Sequence, residues 1–272
     1  MNKMHPNKKH IKYFVVDAFA EQLFQGNPAG VCVLDEWPDT ELLQNIAFEN
    51  NLSETAFVVK KDKHYELRWF TPEMEMDLCG HATLATAFVV ANFIDKDNRH
   101  LVFSTQSGIL TVDVNSETGL YEMDFPSRMP VKTEIDPIVQ KAINVPIKEA
   151  HLSRDLVLLV DTEEQVRNLE INFDLIRTIK DCFAFVVTAP TSGKDYDFVS
   201  RFFTPDSVII EDPVTGSAHC SLIPFWAERL NKNKLIAKQL SKRGGTLHCE
   251  NHDDRVKISG KALLYLEGEI KL

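Results

Sequence analysis

The alternation of apolar and polar residues predicts many short strands in both halves of the chain. Segments such as KYFVVDAF, TAFVVKK and YELRWF in the first half, and FAFVVTA, DFVSRFF and DRVKIS in the second, are rich in β-branched and aromatic residues. Glycine, asparagine, aspartate or proline bounds these segments, as is typical of strands that end in turns. The chain is therefore predicted to be dominated by β-structure.

Three stretches have the apolar spacing of helices instead. DTELLQNIAFENN places its apolar residues on one helical face: Leu42, Leu43, Ile46 and Ala47. HATLATAFVVANFI is apolar nearly all round, which is typical of a helix wrapped by a curved sheet. SAHCSLIPFWAERL is its counterpart in the second half, where we expect Pro224 to kink the helix or to end its first part.

Similar short segments recur in the same order in both halves. RWFTP at Arg68–Pro72 is matched by RFFTP at Arg201–Pro205, AFVV occurs at both Ala56–Val59 and Ala184–Val187, and SGIL is answered by GGTL. This order favours an internal duplication, although two unrelated β-rich domains could also share strand composition. The predicted fold class is α+β, with two pseudo-symmetric halves that each wrap a strongly bent, mostly antiparallel sheet around a central helix.

One proline-rich segment is the best candidate for a linker between the halves. PSRMPVKTEIDP, at Pro126–Pro137, carries three prolines and shows no apolar periodicity. We therefore predict an N-terminal half at 1–128, which contains Glu54, and a C-terminal half at 129–272. The last strand is allowed to return to the first half.

Composition narrows the classes of partner. A net charge of −10 argues against nucleic acid, because a phosphate backbone repels such a surface. The basic head MNKMHPNKKH is followed by KYFVVDAFAEQ rather than by the apolar run of a signal peptide, and nothing reaches the length of a membrane span. An odd number of cysteines without disulfide-framework spacing indicates a reducing cytoplasm: Cys32, Cys79, Cys182, Cys220 and Cys249.

Two glycines stand where anions could bind. Gly80 and Gly216 open the two apolar helices, and helix N-termini expose N–H groups and a positive dipole end. If the two halves pack face to face, both helix starts would face one cleft that suits a small carboxylate. The alternative is that these are ordinary turns before helices.

Ionisable residues break the repeat. Glu54, in NLSETAF, aligns with Cys182, so only one half has an acid at this position. A carboxylate partly buried beside a strand holds its proton more readily, which suits general acid/base chemistry. His81 could donate to a substrate oxygen, and Asp212 could be a second acid. The alternatives are a surface glutamate, a histidine that caps a turn and an aspartate that forms an Asx-turn.

Four stretches together resemble the phenazine-biosynthesis PhzF-like family of isomerases. They are GNPAGVCVL, NLSETAFV, RWFTPEMEMDLCGHATLA and EDPVTGSAH, and they are spread over most of the chain. The resemblance implies a diaminopimelate epimerase-like fold with the active site between two halves. It also implies that Glu54 moves a proton and that His81 and Asp212 assist it.

The same resemblance implies how the substrate is held and what else the reaction needs. The substrate-binding residues would be Asn27, Gly80, Gly216 and Ser217. The substrate would be a small cyclic or amino-acid-like carboxylate, isomerised without cofactor or metal. A homodimer is a possible assembly.

The residues also bear on three other functions. A two-thiol racemase would use Cys79, but the second half has no cysteine at its helix start, since Cys220 lies about a turn inside. A non-catalytic small-molecule-binding member of the same fold stays open. A metal hydrolase is disfavoured, because the spacings of its candidate ligands match no common zinc pattern: Cys79, His81, His219, Cys220, His248 and Cys249.

Overall fold

The computed structural model describes residues 10–179, 184–191, 193–207 and 209–272. Its contacts group the chain into two units. The first contains the described residues up to Ala18, together with Pro28–Tyr121 and Ala262–Leu272. The second contains Phe19–Asn27 and Glu122–Lys261. Among the described residues, no helix is long and apolar enough to cross a membrane.

The units do not follow a single cut near residue 128. The chain passes from the first unit to the second between Tyr121 and Glu122, and Phe19–Asn27 also belongs to the second unit. Hydrogen bonds explain that second assignment, because the Gly26 N–H donates to the Gly244 carbonyl at 2.7 Å. The contacts of Phe19–Asn27, rather than its position in the sequence, therefore place this segment in the second unit.

Most of the first unit is made of strands with two helices between them. In chain order the elements up to the crossing are β1 (His10–Ala18), β2 (Asn27–Leu34), α1 (Thr40–Asn50), β3 (Glu54–Lys60), β4 (Tyr65–Phe70), β5 (Glu75–Met76), α2 (Gly80–Val89, continued by a π-helical turn at Val90–Ile94), β6 (His100–Thr105), β7 (Gly108–Asn115) and β8 (Leu120–Pro126).

The remaining elements belong to the second unit, except the last strand. They are β9 (Val131–Thr133), α3 (Pro137–Ala142), β10 (Glu149–Leu152), β11 (Leu156–Leu159), α4 (Glu163–Arg167), α5 (Phe173–Ile176), β12 (Phe185–Pro190), β13 (Phe198–Phe203), β14 (Glu211–Asp212), α6 (Gly216–Leu230), β15 (Lys234–Gln239), β16 (Gly245–His252), β17 (Arg255–Gly260) and β18 (Ala262–Lys271). Strand β18 pairs antiparallel with β1, so the chain ends in the first unit.

The same order of strand pairing occurs in both units. In the first, β2 runs parallel to β3, β4 is antiparallel to β3 and β5 but parallel to β6, and β6 is antiparallel to β7. In the second, β11, β12, β13, β14, β15 and β16 repeat each of these relations. The predicted α+β fold of two similar halves is therefore confirmed.

The repeated pentapeptides have matching roles in their two units. Arg68 on β4 makes two hydrogen bonds of 2.7 Å to the carboxylate of Glu75, and Arg201 on β13 makes bonds of 2.7 and 3.0 Å to Glu211. Each guanidinium also lies over the phenylalanine two residues later, at 5.1 and 5.0 Å from the ring centroid. This double use of a planar guanidinium requires arginine rather than lysine. The motif thus fixes a two-residue strand shortly before each central helix.

Each central helix is largely buried, as its apolar sequence predicted. Helix α2 packs on β1 and β3, and α6 packs on β15, β16 and β17. Pro224 lies inside α6, yet the helix continues to Leu230 without ending there. Proline has no N–H to donate to the carbonyl four residues earlier, which is that of Cys220. That carbonyl accepts instead from the backbone N–H of Arg128 at 2.9 Å, so it remains satisfied.

Candidate active site

The first unit places Glu54 beside the start of α2. Glu54 is the first residue of β3 and pairs with Ala29 of β2. Helix α2 begins at Gly80, after Cys79 in an extended conformation, and His81 lies in its first turn. Because β3 and the helix start converge, three chemically different side chains meet there: Glu54, Cys79 and His81.

The distances in this group are short. The Glu54 Oε2 and His81 Nε2 atoms lie 3.2 Å apart, and Cys79 Sγ lies 3.6 Å from His81 Nδ1. The side chain of His81 is 6% exposed and that of Glu54 is 17% exposed. The imidazole therefore stands between a thiol and a carboxylate, and the carboxylate is the most accessible of the three groups.

Burial decides the charge of the histidine. It lowers the pKa of His81 to about 3, so the ring is neutral at pH 7. An ionised carboxylate can only accept hydrogen bonds, so the tautomer with its proton on Nε2 matches the Glu54 side of the ring. His81 can then orient Glu54 or donate to a substrate oxygen without carrying a positive charge.

The second unit has an equivalent helix start with different side chains. Helix α6 begins at Gly216, and Thr215 takes the position that Cys79 has before α2. The hydroxyl of Ser217 accepts a hydrogen bond of 3.1 Å from Arg154 Nη2. Arg154 is held in turn by two bonds to the buried carboxylate of Asp155, at 2.8 and 2.7 Å. This helix start therefore has a positioned guanidinium beside it.

Asp212 occupies the position in β14 that Met76 occupies in β5. Its carboxylate accepts from Asn27 Nδ2 at 2.7 Å and from the hydroxyl of Thr215 at 2.5 Å. Burial nevertheless raises the pKa of Asp212 to about 6, since the two donors only partly offset the loss of solvation. The group therefore exchanges a proton near neutral pH.

Neighbouring residues hold Asp212 and Asn27 in place. Asn27 Nδ2 also donates to the Val214 carbonyl at 3.0 Å. Gln239 donates to the Asp212 carbonyl at 2.8 Å and accepts from the Thr215 N–H at 2.9 Å. Asn27 is thus an anchor of the Asp212 segment, and its role in binding substrate stays a prediction.

The raised pKa of Asp212 predicts a specific pH dependence of stability. The folded protein binds this proton more tightly than the unfolded chain, so the free energy of unfolding should fall as pH rises from about 4 through about 6. At 1.36 kcal/mol per pKa unit, the loss is at most about 3 kcal/mol, and less because Asp212 keeps a partly exposed edge. Urea unfolding across this range should show a shallower fall for Asp212→Asn than for wild type. Parallel curves for the two proteins would contradict the assignment.

The predicted site residues therefore form two groups, one in each unit. Glu54, Gly80 and His81 lie together in the first, and the second gathers the others: Asn27, Asp212, Gly216 and Ser217. That the two helix starts open onto one cleft stays a prediction. Cys182, the predicted counterpart of Glu54, lies outside the described residues.

Sequence reasoning missed three residues of the second group. Thr215 and Gln239 hold Asp212, and Arg154 contacts Ser217. Thr215 could have been found from the sequence, because it precedes the glycine that opens its helix, as Cys79 precedes Gly80 in the first half. Arg154 and Gln239 are distant in sequence from the motif and belong to no repeated segment, so their contacts only appear once the chain is folded.

Known proteins match this chain over nearly its whole length, and they belong to the family that its motifs resemble. A family model described as phenazine biosynthesis-like protein matches residues 16–268. A relative named as an uncharacterized isomerase, from Pseudomonas aeruginosa, is 48% identical over 95% of this chain and 98% of its own length. A crystal structure of a PhzF-family phenazine biosynthesis protein from Enterococcus faecalis has a TM-score of 0.94 at 47% identity, and the match covers 97% of this chain and 100% of that one.

A more distant structure agrees on the fold alone. A hydroxyproline epimerase from Agrobacterium vitis matches with a TM-score of 0.63 at 9% identity, covering 97% of this chain and 93% of that one. The diaminopimelate epimerase-like fold is thus confirmed. The relatives named above support an isomerase.

Proposed function

Because this chain belongs to the phenazine biosynthesis-like family, we propose that it is an isomerase in which Glu54 moves a proton on a small carboxylate. One observation carries this proposal: the Glu54 carboxylate lies 3.2 Å from a buried, neutral histidine and keeps its own accessible edge. A carboxylate so placed can take a proton from one carbon and return it at another.

The remaining residues support binding and charge stabilisation. The N–H groups at the starts of α2 and α6 attract a carboxylate through the helix dipole, by about 0.3–1 kcal/mol each at exposed sites. Arg154, which is paired with Asp155, donates to the hydroxyl of Ser217 and so orients it beside the start of α6. Asp212 is a second acid, because its raised pKa allows it to give or take a proton near pH 6. The substrate that we propose is the one that the resemblance implies, a small cyclic or amino-acid-like acid.

Proton exchange with solvent tests the proposal directly. The protein is incubated in D₂O with a panel of cyclic and amino-acid-like carboxylates, and deuterium at carbon is followed by NMR. We expect deuterium to enter one class of compound only when protein is present. A family member that only binds its ligand would change the ligand's line widths without any incorporation, and that result would reject the proposal.

The second candidate, a two-thiol racemase, predicts a different response to thiol chemistry. The place equivalent to Cys79 before α6 holds Thr215, and Cys220 is buried with its pKa raised to about 11 by desolvation. Such a thiol stays protonated at neutral pH and supplies little thiolate to act as the base. We therefore expect Cys79→Ser to keep most of its deuterium exchange and the wild type to resist iodoacetamide. Complete inactivation by alkylation, prevented by substrate, would favour the racemase instead.

The cytoplasmic location and the homodimer stay predictions. The absence of cofactor and metal from the reaction has the same standing.

A further inference from the structure

Glu54, Cys79 and His81 offer one oxygen, one sulfur and one nitrogen at a single point of the fold. Each pair of these ligand atoms lies within 4.8 Å, and in the described part of the chain this is the one group of three or more such residues. We infer that the three side chains form a binding site for a thiophilic divalent cation such as Zn²⁺, Co²⁺ or Cd²⁺, and that the bound ion inhibits the isomerase.

The spacing of the group suits tetrahedral coordination. Zinc bonds of about 2.0–2.3 Å at tetrahedral angles place neighbouring ligand atoms about 3.3–3.7 Å apart. The observed separations are 3.2 Å from Glu54 Oε2 to His81 Nε2 and 3.6 Å from Cys79 Sγ to His81 Nδ1. These two separations end on different ring nitrogens and one ion uses only one of them, so the third ligand atom, which lies within 4.8 Å of the others, has to move closer when the ion binds.

The chemistry of the three groups favours a soft or borderline ion. The side chain of His81 is buried and offers an imidazole nitrogen beside the Cys79 sulfur and the Glu54 oxygen. A thiolate and an imidazole select zinc-like ions, whereas Mg²⁺ and Ca²⁺ prefer six or more oxygen ligands. Cys79 must lose its proton on binding, so affinity should rise with pH.

Three protein ligands leave a fourth position for water or substrate. That position faces the Glu54 side, because Glu54 is 17% exposed whereas His81 is 6% exposed. This part of the inference rests on the proposed function: a carboxylate that coordinates a cation cannot accept the substrate's proton. Metal occupancy should therefore block exchange while leaving the fold intact.

Cobalt gives a readout that does not depend on catalysis. Titration of the reduced, metal-free protein with Co²⁺ should produce a thiolate-to-cobalt charge-transfer absorption that saturates at one equivalent, and Zn²⁺ should displace it. Cys79→Ala should abolish this band, and Glu54→Gln should weaken Zn²⁺ binding by at least about 10–100-fold. Cys249→Ala is the matched control, because Cys249 is also a buried thiol but lies outside the group.

These experiments test metal binding and inhibition of the isomerase separately. Loss of the band in Cys79→Ala alone supports the site, whereas a band that persists there, or that Mg²⁺ removes as well as Zn²⁺, overturns it. If cobalt binds as expected but Zn²⁺ leaves deuterium exchange unchanged, inhibition is overturned and the ligand set stands. If no exchange is found with any substrate, the proposed function fails and the spectral test of the metal site is unaffected.

Discussion

Replacing Glu54 by Gln is expected to lower the rate of proton exchange about 10²–10⁴-fold, the usual effect of removing a general base. Glutamine keeps the shape of the side chain and can still contact His81, whose Nε2 atom lies 3.2 Å from Oε2 of Glu54 in the wild type. It cannot accept a proton from carbon. The measurement is deuterium incorporation into the substrate, with ligand binding followed separately by titration.

The control for this prediction is Glu49→Gln, which changes an exposed carboxylate on α1. We expect its exchange rate to match that of wild type. Thermal melting of both variants should stay close to wild type, since neither change creates a cavity. A Glu54→Gln protein with near wild-type exchange would remove Glu54 from the mechanism, whatever the behaviour of the control.

The central helices were predictable because a single signal determined them. Helices α2 and α6 are apolar on nearly every side and begin at glycine, and both predictions are confirmed. Helix α1 begins after Asp39, whose side chain accepts from the Leu42 N–H at 2.9 Å, and it buries Leu43 as its pattern required. A long segment with helical apolar periodicity predicts a helix even where single residues depart from the pattern.

Short elements were missed because their stability comes from capping or from distant partners. Helix α3 covers only Pro137–Ala142, and the side chain of Asp136 caps it by accepting from the Ile138 N–H. The helix therefore starts at the last residue of the segment that was interpreted as a linker. Helix α4 has a capping box between Thr162 and Gln165 but no apolar periodicity of its own. Such signals are too local to distinguish a single helical turn from a loop.

The site was predictable where a motif stands close together in sequence and unpredictable where the fold assembles it. The Glu54 and His81 motifs are each contiguous, so both residues could be named as candidates from the resemblance, and the structure places them 3.2 Å apart. Their roles stay predictions. The hydrogen bond from Asn27 to Asp212 joins residues 185 positions apart, and no periodic pattern reports such a contact. The raised pKa of Asp212 depends on burial that only the folded chain provides.

Substituting alanine for Gly245 is expected to lower the free energy of unfolding by about 1–3 kcal/mol, the usual cost of overpacking a filled interior. A Cβ atom at Gly245 would lie 2.4 Å from Val214 Cγ2 and 2.8 Å from the Phe19 carbonyl oxygen. That oxygen accepts the Thr246 N–H at 3.1 Å, so the backbone there cannot withdraw without losing a hydrogen bond. Urea unfolding measures the loss.

Gly268→Ala is the matched control, because its added Cβ would meet nothing closer than Leu266 Cδ2 at 3.7 Å. A glycine in a strand costs backbone entropy on folding, so this variant should be neutral or slightly more stable than wild type. Equal destabilisation by both substitutions would show that the loss at Gly245 does not come from its contact with Val214.

Gly245→Ala should also lower the rate of the proposed proton exchange. Val214 lies two residues after Asp212, and its carbonyl accepts the Asn27 Nδ2 bond that helps to fix the aspartate. The 2.4 Å contact is about 1 Å shorter than van der Waals contact, so relieving it displaces Val214 and the Asp212 segment, and misplacement of about 1 Å can cost about 10²-fold in rate. We expect Gly245→Ala to lower deuterium exchange under conditions where it is still fully folded, while Gly268→Ala leaves exchange unchanged. Normal exchange by a folded but destabilised Gly245→Ala protein would show that the reaction does not require the position of Asp212 to be held so closely.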